Sequence, residues 1–353
     1  MTDRRSSPAT LGFGAIAFAF LLAMSPETSS AEDLTELSLE ELLETELDRM
    51  AVTGIHHTHE RGEWMVGYRF MYMRMDGNRD GTHDRTTASV FADGFSVTPT
   101  DMNMEMHMFH VMYGMTDDLT AMLMVPYIRK SMDHIRIDGL RFTTRSQGIG
   151  DVSLRGLYSL LESDNHQLIA VGGLSFPTGS IDESDKLPGM APGMSARLPY
   201  PMQLGSGTWD LLPGLTYIGQ VPSWQWGVHG SGTLRFGKNE HDYRLGNRYE
   251  STVWAARKIT AWSSGSLRLL WGHWMNIHGA DPSLNPAMVP TADPDRRAGQ
   301  RLDLLFGVNL FATTGRLGGL RGAVEGGIPV YQRLDGPQLE TDWTLSGTLE
   351  WTF

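Results

Sequence analysis

The sequence predicts an all-β chain that crosses a membrane as an antiparallel up-and-down β-barrel of about 12 strands. Three features carry that reading. The chain ends Gly347-Thr-Leu349-Glu-Trp351-Thr-Phe353, apolar and polar residues in strict alternation with an aromatic in last place. From Trp64 onward, segments of period two recur, joined by connections that are alternately short and long. No stretch after the N-terminal apolar run approaches the roughly 18 uninterrupted apolar residues of a helical span, so insertion has to use strands.

In the last strand, Trp343, Leu345, Leu349, Trp351 and Phe353 share the face expected to meet lipid. Asp342, Thr344, Ser346, Thr348, Glu350 and Thr352 share the face expected to meet a polar lumen. A closing strand of this kind resembles the signal read by the barrel-assembly machinery, which becomes an expected partner beside outer-membrane lipid. The opposite end of the chain supplies the address. Arg4 and Arg5 precede an apolar run from Leu11 to Met24, and Ser29-Ser-Ala31 offers small residues for a signal peptidase. Residues 1–31 therefore read as a cleaved secretory signal peptide, and the bacterial outer membrane as the destination.

Composition narrows the function classes. A formal charge of −12 argues against nucleic-acid binding. With no cysteine, the chain has no disulfide, no lipobox and no thiolate metal site. Only 20% of residues are charged and 40 of 353 are glycine, which suits alternating strands.

Residues 32–63 form the expected periplasmic segment. Leu34, Leu37, Leu39, Leu42, Leu43 and Leu47 recur at helical spacing among glutamates, and Ser38 with Glu41 forms a capping box. A short acidic amphipathic helix is expected between Glu32 and Met50. Its Leu-Ser-Leu-Glu-Glu-Leu-Leu core resembles the leader that precedes many outer-membrane receptors; a solvated helix against the barrel mouth and a partner-docking element both fit.

The barrel is assigned to residues 64–353. Its expected strands run Trp64 to Met75, Met102 to Tyr113, Leu119 to Arg129, Gly148 to Leu161, Gln167 to Phe176 and Gly207 to Gly219. Six more run Trp224 to Phe236, Asn247 to Lys258, Ser266 to His278, Gln300 to Ala312, Gly318 to Tyr331 and Leu339 to Phe353. Short links such as Gly114 to Asp118 and Gln220 to Ser223 alternate with long ones at Asp76 to Asp101, Thr178 to Leu204 and Gly279 to Gly299. That asymmetry belongs to barrels with short periplasmic turns and long outer loops, and it puts both termini in the periplasm. By parity Gln225, His229, Ser231, Thr233, Arg235, Asp303, Asn309, Arg321 and Glu325 point inward. Such a lumen could hold a plugging polar network or line a water path.

Three blocks then follow in order: Gln147-Gly-Ile-Gly-Asp-Val152 with Leu154 and Tyr158, Gly173-Leu-Ser-Phe-Pro-Thr-Gly179, and Gln203-Leu-Gly-Ser-Gly207 with Trp209 and Asp210. Together they resemble successive blocks of the outer-membrane transporter family named for the MetA pathway of phenol degradation, over roughly Trp64 to Phe353. The resemblance implies a barrel and transport beside pathways for aromatic compounds, without naming a cargo. No catalytic residue and no required cofactor are expected.

Methionine sets this chain apart. Met is 21 of 353 residues, and thirteen lie between Met65 and Met132. In the first strand Met65, Met71, Met73 and Met75 share one face, opposed by Trp64, Val66, Tyr68, Phe70 and Tyr72. The second strand aligns Met102, Met104, Met106, Met108, His110 and Met112, and the third Met122 and Met124. With the aromatic faces toward lipid, all three stripes face the lumen and merge into one thioether patch. Thioether sulfur is a soft ligand that needs no deprotonation, so one reading is a path for Cu(I) or another soft metal ion. Its ligands would be Met71, Met73, Met75, Met102, Met104, Met106, Met108, His110, Met112, Met122 and Met124, with His56, His57, His59, His83 and His134 nearby in sequence. The other reading is a channel for small hydrophobic or aromatic compounds, in which flexible methionines form an adaptable apolar surface. His107 has the lipid-side parity.

Two further patterns are weaker. Asp76-Gly-Asn78-Arg-Asp80-Gly81 with Asp84 has alternating oxygen ligands, but Arg79 intrudes and the twelfth position lacks a glutamate. A solvated loop explains it better. His273, Asn276 and His278 are spread without the concentration a hydrolase triad needs, so no enzyme activity is expected.

Overall fold

The computed structural model describes residues 57–163, 165–312 and 318–353. The expected signal peptide, the helix between Glu32 and Met50, and His56 lie outside the described residues. Ten strands follow one another: β1 (Trp64–Gly81), β2 (Val97–Gly114), β3 (Leu119–Arg136), β4 (Val152–Ser163) and β5 (His166–Phe176), then β6 (Gly214–Val221), β7 (Trp224–Phe236), β8 (Arg248–Thr260), β9 (Ser263–Trp274) and β10 (Gly299–Phe311). Each is antiparallel to its predecessor. A 33-residue element, Leu320–Thr352, completes the ring by pairing with β10 on one side and β1 on the other.

Eleven elements cannot close an all-antiparallel ring, because direction reverses at every neighbour and an odd ring leaves one parallel pair. The ring closes because the last element doubles back. Its first arm pairs with β10 and its second with β1, while Thr341 N–H donates to Gln332 Oε1 (2.9 Å) and Gln332 Nε2 donates to Thr341 O (2.8 Å). The arms are β11 (320–334) and β12 (338–352), giving twelve barrel strands among the described residues. At the seam, Trp64 and Phe353 exchange backbone hydrogen bonds of 2.9 and 2.8 Å.

Hairpins 2–3, 4–5, 6–7 and 8–9 turn within a few residues at the end that holds both termini, and the longer connections gather at the other end. Two outer extensions continue barrel strands: Arg141–Ile149 prolongs β4 along β3, and Trp209–Leu211 prolongs β6 up to the break at Pro213. The apolar parity faces out, with Val228, Leu267, Phe306 and Val324 exposed around the wall. Aromatic contacts mark both rims: Trp64 with Tyr113 (4.6 Å between ring centroids) at the short-turn end, Tyr72 with Trp343 (5.1 Å) at the other. Such girdles sit where an outer-membrane barrel meets the two lipid interfaces.

Two sequence expectations need correction. The connection expected over Asp76 to Asp101 is largely strand, since β1 continues to Gly81 and β2 begins at Val97, with a hairpin to His83–Arg85. Above the lipid band the outer face need not be apolar, so alternation stops while the backbone ladder continues. In that hairpin Arg79 pairs with Asp84 (2.6 Å) and Arg85 with Asp80 (3.5 Å), so arginines take up the carboxylates of the calcium-like pattern. The lumen, expected to be polar, is layered. At its short-turn end Met65, Met112, Met122, Leu157, Ile169, Val171, Ile218, Trp254 and Ala256 form a continuous apolar cluster. A narrow barrel fills its interior with side chains where no polar group needs access.

Candidate functional site: a two-faced lumen

Register aligns the methionines of β1 to β3. Met65, Met71, Met73 and Met75 stand opposite Met112, Met106, Met104 and Met102. On the other side of β2, Met102 faces Met132, Met112 faces Met122, and His110 faces Met124. Directly opposed side chains on one face of a sheet touch, so the stripes merge into one wall. That wall bounds a lumen cavity of about 790 Å³, and Met71, Met73, Met75, Met102, Met104, Met106, Met108, His110, Met112, Met122 and Met124 all line it. Met65 also lines it, while Met132 and Met202 pack just beyond. Among the described residues no group of three or more histidines and carboxylates is placed to hold a metal ion.

The rest of the lining is ionic. Arg268 (β9) and Glu325 (β11) form a buried pair with Nε to Oε1 at 3.0 Å. Arg301 and Asp303 on β10 pair at 2.8 Å, Arg248 and Glu250 on β8 at 2.7 Å, and Arg321 (β11) lies 3.7 Å from Glu350 (β12). Arg69 reaches this belt from β1 and interacts electrostatically with Arg268, Glu325, Glu350 and Glu250. Seven arginines and four carboxylates line the cavity, so its charge is positive. One of the seven, Arg297, comes from the long outer connection after β9, where burial pushes its guanidinium down to about 10, still charged at neutral pH.

The outer loops close over the cavity. Leu198 and Met202 are buried against Met102 and Met132, with Met75 and Leu339 beside them. Lys130 Nζ donates to the carbonyls of Pro201 (2.8 Å) and Gln203 (2.5 Å), and Ser146 Oγ to that of Met202 (2.6 Å). Tyr200, Tyr243 and Ile277 make a second loop cluster, in which burial pushes the Tyr243 hydroxyl up to about 12.

The three sequence blocks of the family resemblance meet in one knot beside this cap. Asp151 Oδ1 accepts from Gly179 N (2.9 Å) and Oδ2 from Ser206 N (2.7 Å). Thr178 Oγ1 donates to Gly150 O and accepts from Val152 N, both at 2.9 Å. Gly179 and Gly205 approach so closely that a Cβ on either would overlap the other's backbone.

Other candidates are not brought together. His107 lies on the outer face, hydrogen-bonded to Tyr68 OH at 2.7 Å and against Phe70. His273 stacks on Trp271, while Asn276 Oδ1 accepts from Arg297 and Ala298 N–H. The sequence reading missed Arg69, although it has the parity of Met71 and Met73, and the inward fold of Leu198 to Met202, which no periodicity announces.

Fold and lumen define a transmembrane β-barrel of the bacterial outer-membrane type. The chain belongs to the family described as putative MetA-pathway of phenol degradation, whose profile matches residues 86–268. Among solved structures it is similar to an outer-membrane channel of Pseudomonas putida F1, at 14% identity and a TM-score of 0.58, over 86% of this chain and 100% of that one. A FadL homologue of Pseudomonas aeruginosa aligns at 11% identity with a TM-score of 0.38, over 82% of this chain and 89% of that one. No curated protein matches the sequence.

Proposed function

We propose that the barrel is a channel for small hydrophobic compounds, aromatic ones in particular, with the methionine wall as its adaptable contact surface. The observation that carries this reading is the wall itself: a largely apolar, polarizable face, interrupted by Arg69 and His110, on a cavity of about 790 Å³, the size range of small-molecule sites. Thioethers favour ring edges at about 5 Å and adjust to different shapes, which suits a family described by phenol degradation. The soft-metal expectation has less behind it. The same cavity holds seven arginines against four carboxylates, an unfavourable field for Cu(I), and neither comparison brings a metal to these residues.

The test is block of small-ion current by benzyl alcohol in planar bilayers containing the purified barrel. Two variants carry changes at Met104, Met106, Met108, Met122 and Met124, one to Leu and one to Ser. Leu keeps volume and apolarity without sulfur, so block should persist in the Leu variant and disappear in the Ser variant. Tight Cu(I) binding by the wild type that the Leu variant loses would reverse the choice in favour of a soft-metal path.

A further inference from the structure

We propose that the preferred cargo is an aromatic carboxylate, its ring on the methionine wall and its carboxylate on Arg69 and Thr348; this rests on the reading of the barrel as an aromatic-solute channel. Arg69 stands directly opposite Thr348 on β12 and Met108 on β2. Arg69 Nε and Thr348 Oγ1 are both buried, and neither finds a hydrogen-bond partner among the described residues. Buried donors are normally satisfied, so two unsatisfied donors on paired positions of β1 and β12, Arg69 itself lining the cavity, mark a place for an acceptor. A carboxylate fits, since its oxygens accept from a guanidinium and a hydroxyl together.

The surrounding charge asks for an anion. Four carboxylates line the cavity, and each already faces an arginine: Glu250 with Arg248, Asp303 with Arg301, Glu325 with Arg268, and Glu350 with Arg321. Arginines still outnumber carboxylates in the lining by seven to four, so the cavity keeps a positive field. A simple carboxyl group, with a pKa of about 4, is ionised at neutral pH, whereas a phenol, at about 10, is not. The apolar half of the cargo has its place one step along the strand. Met71 follows Arg69 on the same face, opposite Met106 on β2, and both line the cavity. Acetate would use only the charged half of this site and benzyl alcohol only the apolar half.

The experiment measures half-blocking concentrations of potassium chloride current by benzoate, acetate and benzyl alcohol, with the purified full chain in planar bilayers. Benzoate should block the wild type at a concentration about tenfold below either of the others. Arg69→Met should raise the benzoate value about tenfold and leave that of benzyl alcohol unchanged, and Arg69→Lys should stay near wild type. Benzoate no better than benzyl alcohol, with Arg69→Met and Arg69→Lys both silent, overturns the anion site while the aromatic channel stands. Acetate as effective as benzoate also overturns it, because the ring then contributes nothing. Failure of both aromatic probes removes the channel reading as well.

Discussion

His110 Nε2 lies 3.6 Å from Glu350 Oε1, and the two side chains meet over Gly67 of β1, which pairs with both residues. A three-strand row is thereby joined across a position that has no side chain. A Cβ at residue 67 would overlap the His110 ring, so Gly67→Ala forces the imidazole away from Glu350. His110 is 8% exposed, and its ring can yield only by turning toward the lumen cavity that it lines. Overpacking of this kind typically costs about 1–3 kcal/mol. The midpoint of urea unfolding, followed by gel mobility of the folded barrel, should fall accordingly, and Gly67→Ala combined with His110→Ala should recover most of the loss. An unchanged midpoint in the single variant would show that the ring moves freely.

The Asp151 knot gives a second expectation. One carboxylate caps two backbone N–H groups from the two ends of a single connection, Gly179 just after β5 and Ser206 ahead of β6. Charge-assisted hydrogen bonds contribute about 1.5–3 kcal/mol each. Asp151→Ala removes both and should cost about 3–6 kcal/mol of stability and raise protease cleavage between Thr178 and Leu204, whereas Asp151→Asn, still an acceptor, should lose less. Equal cleavage of wild type and Asp151→Ala would mean that the loop is held by its apolar anchors alone.

Much of this was legible in the sequence, and the reason is parity. A barrel wall separates two media, so each strand must alternate, and alternation alone placed Met71, Met104 and Asp303 inside and Trp343 and Val228 outside. The even strand count followed from turn spacing, although the last two strands form one continuous element. What stayed hidden has no period. Leu198, Tyr200 and Met202 sit in a connection rich in glycine and proline, where single apolar residues say nothing about which way the chain folds. The apolar layer around Leu157, Ile169 and Trp254 was obscured for a different reason. Apolar residues on both faces of a strand look like a weaker alternation, not like an apolar lumen.

Glu63, just before β1, sets a pH expectation. Burial raises its carboxyl pKa, but the hydrogen bond from His59 (2.9 Å), the charges of His59 and His57, and the Glu60 N–H outweigh that and hold it below the ordinary 4.5. A depressed carboxylate contributes stability that is present above the unfolded value and lost as pH falls through the folded one. The stretch from His57 to Glu63 should therefore resist proteolysis at neutral pH and loosen as pH drops below about 4. Glu63→Gln should abolish that pH dependence. A variant that still loosens over the same range would place the titrating group elsewhere.

Lys130 should control the outer mouth. Its ammonium group reaches two carbonyls of the loop segment that lies inside the barrel, Pro201 O and Gln203 O, and Ser146 adds a hydrogen bond to Met202 O. The apolar contacts of Leu198 and Met202 with Met102 and Met132 draw the segment in, while Lys130 fixes its carbonyls, which have few other donors so far from bulk water. Lys130→Met keeps the length and apolar stem of the side chain but leaves those carbonyls without their donor, at a cost of about 1–3 kcal/mol to the closed arrangement. If the closed state leads the open one by a similar margin, the change raises open probability about tenfold. Single-channel recording should then show longer openings with the same conductance, since the cavity walls are untouched. A higher conductance without longer openings would instead mean that Lys130 narrows the path directly. No change in either would show that the apolar anchors hold the loop unaided, and that opening has to begin with Met202 leaving the methionine wall.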